Sequence, residues 1–185
     1  LEQPIIEVPP DAAFRWSSDG RYLAVAGSSR ILSYLGISMR AYRSLTLISD
    51  DDTTGPAEVR DNILANFWSP DGDKLAYVTL SSVRGALRWM LLDLSDGSRR
   101  PLVDFIPSRD QLTMFQFFDQ YAYSHSVWSP DSGSLVFAGG LATQAAAASL
   151  SDHPGHEGSH IFVMDTRFNA PATLASGVLG FWSPR

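Results

Sequence analysis

Trp68-Ser69-Pro70-Asp71-Gly72-Asp73-Lys74-Leu75-Ala76-Tyr77-Val78 is the stretch whose reading decides the fold. Proline fixes φ near about −65°, as the second residue of a tight turn requires. Aspartate can bond the nearby backbone, and the glycine after it accepts the left-handed conformation of a bulged hairpin. The apolar run Leu75-Ala76-Tyr77-Val78 that follows has the length of a strand and is bounded by turn residues, so it reads as a central strand buried on both faces.

The same arrangement recurs along the chain. Trp16-Ser17-Ser18-Asp19-Gly20 precedes Tyr22-Leu23-Ala24-Val25-Ala26, Trp128-Ser129-Pro130-Asp131-Ser132-Gly133 precedes Leu135-Val136-Phe137-Ala138, and Trp182-Ser183-Pro184-Arg185 is a truncated copy. Ser18 stands in place of proline in the first copy, and Ser132 reads as one residue inserted before Gly133 in the third. The tryptophans are 52 to 60 residues apart. Leucine-rich, ankyrin and tetratricopeptide repeats are shorter and helical, whereas this period suits a four-stranded propeller blade with its loops. The expected fold is therefore all-β: a propeller of four-stranded antiparallel blades over residues 11–62, 63–121 and 122–177, with 178–185 starting a further one.

Other runs supply the remaining strands: Ser44 to Ile48 in the first repeat, Leu87 to Leu94 and Arg99 to Val103 in the second, Ile161 to Asp165 and Ala172 to Leu174 in the third. Leu64-Ala65-Asn66-Phe67 and Val178-Leu179-Gly180-Phe181, which lead into tryptophans, are the expected innermost strands. Trp16, Trp68 and Trp128 are expected at equivalent positions, packed between blades and mostly buried, because a large indole stabilises such a stack.

Trp68 to Val78 resembles the PD40 (WD40-like) motif of TolB-like propellers, and related blades occur in the propeller domains of prolyl-oligopeptidase-type enzymes. The resemblance covers nearly the whole chain. It implies a propeller fold, protein partners in extracytoplasmic complexes and hence a periplasmic or cell-envelope location. The motif is scaffold, so it implies no catalytic or binding residue.

Composition removes several classes of function. Forty-four per cent apolar residues across 185 suit one folded domain. A net charge of −6 and a single lysine, Lys74, argue against a nucleic-acid surface, which needs clustered cations. No apolar run approaches the roughly 20 residues of a membrane-spanning helix. With no cysteine, disulfides, thiolate zinc sites and cysteine nucleophiles are excluded. Neither a G-x-S-x-G elbow nor a glycine-rich phosphate loop is present, so no catalytic residue and no cofactor is assigned. Asp50-Asp51-Asp52 lacks calcium-loop spacing and reads as a solvated turn. His125, among Tyr123, Ser124 and Ser126, reads as a hydrogen-bonded structural histidine.

Propeller function usually sits in loops, so insertions carry the functional candidates. In the first, Ile106 to Tyr123, Ser108 is a plausible helix N-cap and Leu112, Phe115 and Phe118 share one helical face. A short helix is expected, serving either as a plug that buries its own aromatics or as a partner-binding patch formed by Phe115, Phe117, Phe118 and Tyr121. In the second, Gly139 to His160, His156-Glu157-Gly158-Ser159-His160 formally matches H-E-x-x-H. Zinc peptidases need that spacing on a helix, which Gly158 and Ser159 oppose. His153, His156 and His160 are thus at most incidental metal ligands, no metal site is assigned, and the segment is expected to be irregular, mobile and metal-free.

Three functions remain. The leading expectation is a non-catalytic binding or scaffolding propeller that contacts a protein partner. The alternative is the gating domain of a larger prolyl-oligopeptidase-type serine peptidase, and the third is a metalloenzyme using the His-rich segment. Three repeats are fewer than the usual four to eight blades of a closed ring. Further blades from a longer polypeptide, or a second copy forming a homo-oligomeric ring, are expected to cover the open ends.

Overall fold

The computed structural model describes residues 8–50, 57–142 and 159–183. Strands β1 (Ala13–Trp16), β2 (Tyr22–Tyr34), β3 (Ile37–Ser49) and β4 (Ala57–Ile63) form an antiparallel four-stranded sheet in chain order. β5 (Ala65–Trp68), β6 (Lys74–Leu80), β7 (Leu87–Asp93) and β8 (Arg99–Pro107) repeat that plan. Two short helices follow, α1 (Arg109–Gln116) and α2 (Phe118–Tyr121), and then β9 (Ser134–Leu141), β10 (His160–Asp165) and β11 (Ala170–Ser176). The fold is the all-β propeller arrangement of consecutive antiparallel hairpin-linked sheets.

The three turn motifs are nearly superimposable in their bonding. Ser17, Ser69 and Ser129 donate their hydroxyls to Asp19, Asp71 and Asp131 at 2.6, 2.5 and 2.5 Å. The same hydroxyls accept the amides of Tyr22, Lys74 and Ser134, which begin or immediately precede the central strands. Each aspartate also accepts an amide two residues on, from Arg21, Asp73 and Gly133. Gly20 and Gly72 have φ of 77°, and Ser132 takes the same left-handed conformation at 58°. The Ser132 amide bonds the Ser129 carbonyl at 2.9 Å, as the Gly72 amide bonds that of Ser69. Ser132 is therefore not an insertion: it occupies the glycine position, and its hydroxyl accepts the Asp71 amide of the neighbouring turn at 3.0 Å.

Neighbouring repeats are joined through tryptophan. The Trp68 indole donates to the Arg15 carbonyl at 3.1 Å, and the Trp128 indole donates to the Phe67 carbonyl at 3.0 Å. In each case the acceptor is the residue before the previous repeat's tryptophan. Trp68 and Trp128 are buried, and Tyr22 stacks on Trp68 at 6.1 Å. Trp16 ends β1 as expected but is 56% exposed, which corrects the expectation of burial for all three. Among the described residues no repeat lies on its side of β1, and Phe14, on the same side, is 49% exposed.

The third repeat departs from the expected plan. Its innermost strand shrinks to a bridge between Trp128 and Leu135, and Val178 to Phe181 form no strand. Trp182 alone bridges Ser126, its amide donating to the Ser126 carbonyl at 2.8 Å. The end of β8 also pairs with the end of β9, so the second and third repeats share one seven-stranded sheet. Gly139 permits this approach: with φ of 145°, a Cβ there would lie 2.0 Å from the Ile106 carbonyl oxygen.

Gly20→Ala should cost about 1–2 kcal/mol for its left-handed backbone alone. Gly72→Ala should cost more, since its Cβ would meet the Asp19 carboxylate at 2.5 Å and disturb that turn's bonds. Equal losses in denaturant unfolding would contradict this packing. The turns are also sensitive to acid. The Ser17 hydroxyl, with Arg21, holds the Asp19 carboxyl down to about 2, and the Ser129 hydroxyl and Gly133 amide lower Asp131. Because both groups are held below the ordinary 3.8, the stability they confer is present above 3.8 and is lost as pH falls below it, through about 2 for Asp19. An Asp19→Asn/Asp131→Asn chain should show a shallower loss of melting temperature across that window than the parent.

Candidate functional site

Helix α1 begins as its sequence dictates. The Ser108 hydroxyl accepts the Gln111 amide at 3.0 Å, which satisfies one of the free donors of the first turn. Gln111, fully buried, accepts the Ala138 amide at 3.0 Å and ties the helix to β9. The chain then breaks at Phe117 (φ −123°, ψ 34°) and resumes as α2.

This break sorts the aromatic candidates. Phe115 lies 5.6 Å from Trp89 and 6.2 Å from both Phe105 and Phe67, at the centre of the aromatic core. Phe118 meets Tyr42 edge-on at 6.0 Å and Phe67 at 6.4 Å. Both are buried, so their place in a partner-binding patch is corrected: they anchor the insertion to the sheets. Phe117 and Tyr121 remain exposed, and Tyr123 and Phe181 join them at the surface.

Beside α2 opens a cavity of about 260 Å³ lined by Asp110, Thr113, Met114, Tyr121, His125 and Leu179. His125 meets the edge of Tyr121 at 5.2 Å and Phe181 at 4.5 Å, and its Nδ1 is 2.7 Å from the Ser124 hydroxyl. That volume is below the roughly 300 Å³ at which drug-sized ligand sites begin, so it suits a side chain or a small fragment. A carboxylate, an imidazole, a phenol and a hydroxyl around an apolar floor can orient such a group by hydrogen bonds. The Ser124 and His125 pair is half of a nucleophile arrangement, yet among the described residues no carboxylate is hydrogen-bonded to the imidazole to orient it. Sequence reasoning missed this cavity, because it joins α1, the segment after α2, and Leu179 from the end of the chain.

Of the histidine candidates, His160 opens β10, paired between Gly139 and Ser176, with its ring 6.2 Å from that of Phe162. His153 and His156 lie outside the described residues, as do Asp51 and Asp52.

The second site feature is Arg15 on β1. Its side chain is buried beneath Tyr123, with the guanidinium carbon 5.2 Å from that ring. The signal that could have found it is in the repeat itself: Arg15 stands where the later copies have Phe67, Val127 and Phe181.

No family model and no curated protein matches the chain. Solved structures do. The β-propeller domain of the Trilobed protease from Pyrococcus furiosus, which has an open velcro topology, aligns with a TM-score of 0.52 at 15% identity, over 89% of this chain and 43% of that one. The Pyrococcus horikoshii acylaminoacyl peptidase aligns at 0.50 and 14% identity, over 89% of this chain and 25% of that one. TolB from Acinetobacter baumannii aligns at 0.44 and 19% identity, over 83% of this chain and 30% of that one. The chain thus spans less than half the length of these structures. At such identities the first two likenesses establish the β-propeller fold.

The division of the insertion is testable by stability. Phe115→Ala should cost about 3–5 kcal/mol, as for other buried aromatics. Phe117→Ala should stay within about 0.5 kcal/mol, as for surface substitutions. Comparable losses for the two in denaturant unfolding would place Phe117 in the core.

Proposed function

We propose that this chain is a non-catalytic propeller module that recognises protein segments on the surface carrying α2. The observation that supports this reading is the cavity between α1 and the segment after α2, edged by the exposed rings of Tyr121 and Phe181 and lined by groups that can hydrogen-bond a peptide. Exposed Phe117, Tyr121, Tyr123 and Phe181 offer rigid contact area at low entropic cost, the composition of recognition surfaces. The cavity accepts a single side chain, and the rings around it grip the flanking peptide. The alternative reading, the propeller domain of a larger serine peptidase, is favoured by the likeness to two peptidase propellers, a likeness of fold alone. It requires a reading frame that continues into an α/β-hydrolase domain carrying G-x-S-x-G.

A randomised peptide library screened against the immobilised 185-residue chain tests the proposal. Binding in the micromolar range is expected, weakened about fivefold to tenfold by Tyr121→Ala or Phe117→Ala, with every recovered peptide intact. Recovery of cleaved peptides, or binding indifferent to both substitutions, would overturn it.

A further inference from the structure

The residues immediately before the four tryptophans are Arg15, Phe67, Val127 and Phe181. This position points from the innermost strand into the packing between repeats, where Phe67 and Val127 are buried at 2% and 1% exposure. Arg15 is buried almost as deeply, at 6%, although it carries a charge. Its Nη1 donates to the Asn66 carbonyl at 3.3 Å, a long bond, and its guanidinium lies 6.0 Å from the Phe67 ring. It takes part in none of the ion pairs formed among the described residues. Among the described residues its Nε has no hydrogen-bond partner, and neither has Oδ1 of the adjoining buried Asn66. Burial pulls the guanidinium down to about 10, with Tyr123 and Asp119 only partly offsetting it.

Burying a cation costs several kcal/mol unless its partners are complete. The sibling repeats show that an apolar side chain fills this place, so packing does not require an arginine. Tyr123, whose ring lies over the group, is 73% exposed, so it can shift without disturbing a core. A guanidinium whose Nε is unpaired and whose Nη1 bond is long, beneath an exposed ring, suits a planar anion, since Arg meets a carboxylate through two parallel hydrogen bonds. A phosphate dianion fits poorly: one cation cannot neutralise it, and the nearby Asp119 opposes a second negative charge.

We propose that Arg15, roofed by Tyr123, binds a carboxylate of the peptide recognised on the α2 surface, supplied by its C-terminus or by an acidic side chain. The proposal rests on that surface being a peptide-recognition site. On binding, Tyr123 swings off the guanidinium, the carboxylate takes the Nε and Nη donors, and the buried charge gains the counter-ion that it lacks.

The test is fluorescence anisotropy on the full chain with three forms of one library-derived peptide: free C-terminal acid, C-terminal amide without acidic residues, and amide carrying one glutamate. The parent should bind one of the two acidic forms at least tenfold more tightly than the neutral amide, and the preferred form names the source. Arg15→Met should melt no lower than the parent and bind all three forms alike. Arg15→Lys, which keeps the charge and loses the planar fork, should reduce the preference to threefold or less. Tyr121→Ala should weaken all forms equally. Equal binding of the three forms by the parent overturns the carboxylate proposal and leaves the recognition surface standing, whereas no binding of any form defeats both. An Arg15→Met chain that keeps the preference also overturns the proposal. So does one that fails to fold while Arg15→Lys keeps the preference in full.

Discussion

The hydrogen bond from a tryptophan indole to a main-chain carbonyl of the previous repeat sets the spacing of the whole structure. An indole buried between sheets removes roughly 150–250 Å² from water, on the order of 4–6 kcal/mol at about 25 cal/mol/Å². That attraction alone has no direction. The Trp68 and Trp128 bonds to Arg15 and Phe67 add it, because each fixes one innermost strand against the next at a defined point. Trp182 continues the packing, lying against the cluster of Val136, Ala138 and Ile161. Among the described residues its indole nitrogen finds no partner, and residues 178–181 before it form no strand.

The turns, which follow the tryptophans directly, transmit the same register at that end of the inner strands. Each aspartate is held by its own serine and by a following amide, while contacts between turns stack one repeat on the next. Ser18 reaches the Ser69 carbonyl, Ser132 takes the Asp71 amide, and Arg21 pairs with Asp73. An exposed ion pair such as Arg21 with Asp73 is worth little by itself. Its place beside the close approach of Asp19 to Gly72 matters more, since that contact leaves no room for a Cβ.

Most of this was legible in the sequence because repetition multiplies a weak local signal. One Trp-Ser-Pro-Asp-Gly is a turn; three at similar spacing, each followed by an apolar run, specify an array of hairpins. The Ser108 cap and the buried face of Leu112, Phe115 and Phe118 were legible for the same local reason. Features that depend on distant segments were not. The pairing of β8 with β9 rests on Gly139 admitting the Ile106 carbonyl, and nothing near either residue announces it. Exposure of Trp16 depends on what lies beyond β1, which the motif around it does not encode. Ser132 misled because a non-glycine residue at positive φ is uncommon, so Gly133 was the natural choice for that position.

The repeat also gives a standard against which departures can be weighed. Phe115 and Phe118 turn an insertion into part of the core, so the helical segment is held rigidly and its outward residues can present a fixed surface. Stability explains Phe67 and Val127 in full, because burying them is favourable and leaves no polar group unpaired. It does not explain Arg15, for the same fold accepts apolar residues at that register and the arginine lacks the partners that would offset its desolvation. Buried Phe67 and Val127 fill this position in the next two repeats and an incompletely paired cation fills it in the first, a departure for which binding rather than folding is the proposed reason. That Arg15 lies directly beneath Tyr123, in the segment following α2, connects the departure in the scaffold to the surface proposed for recognition.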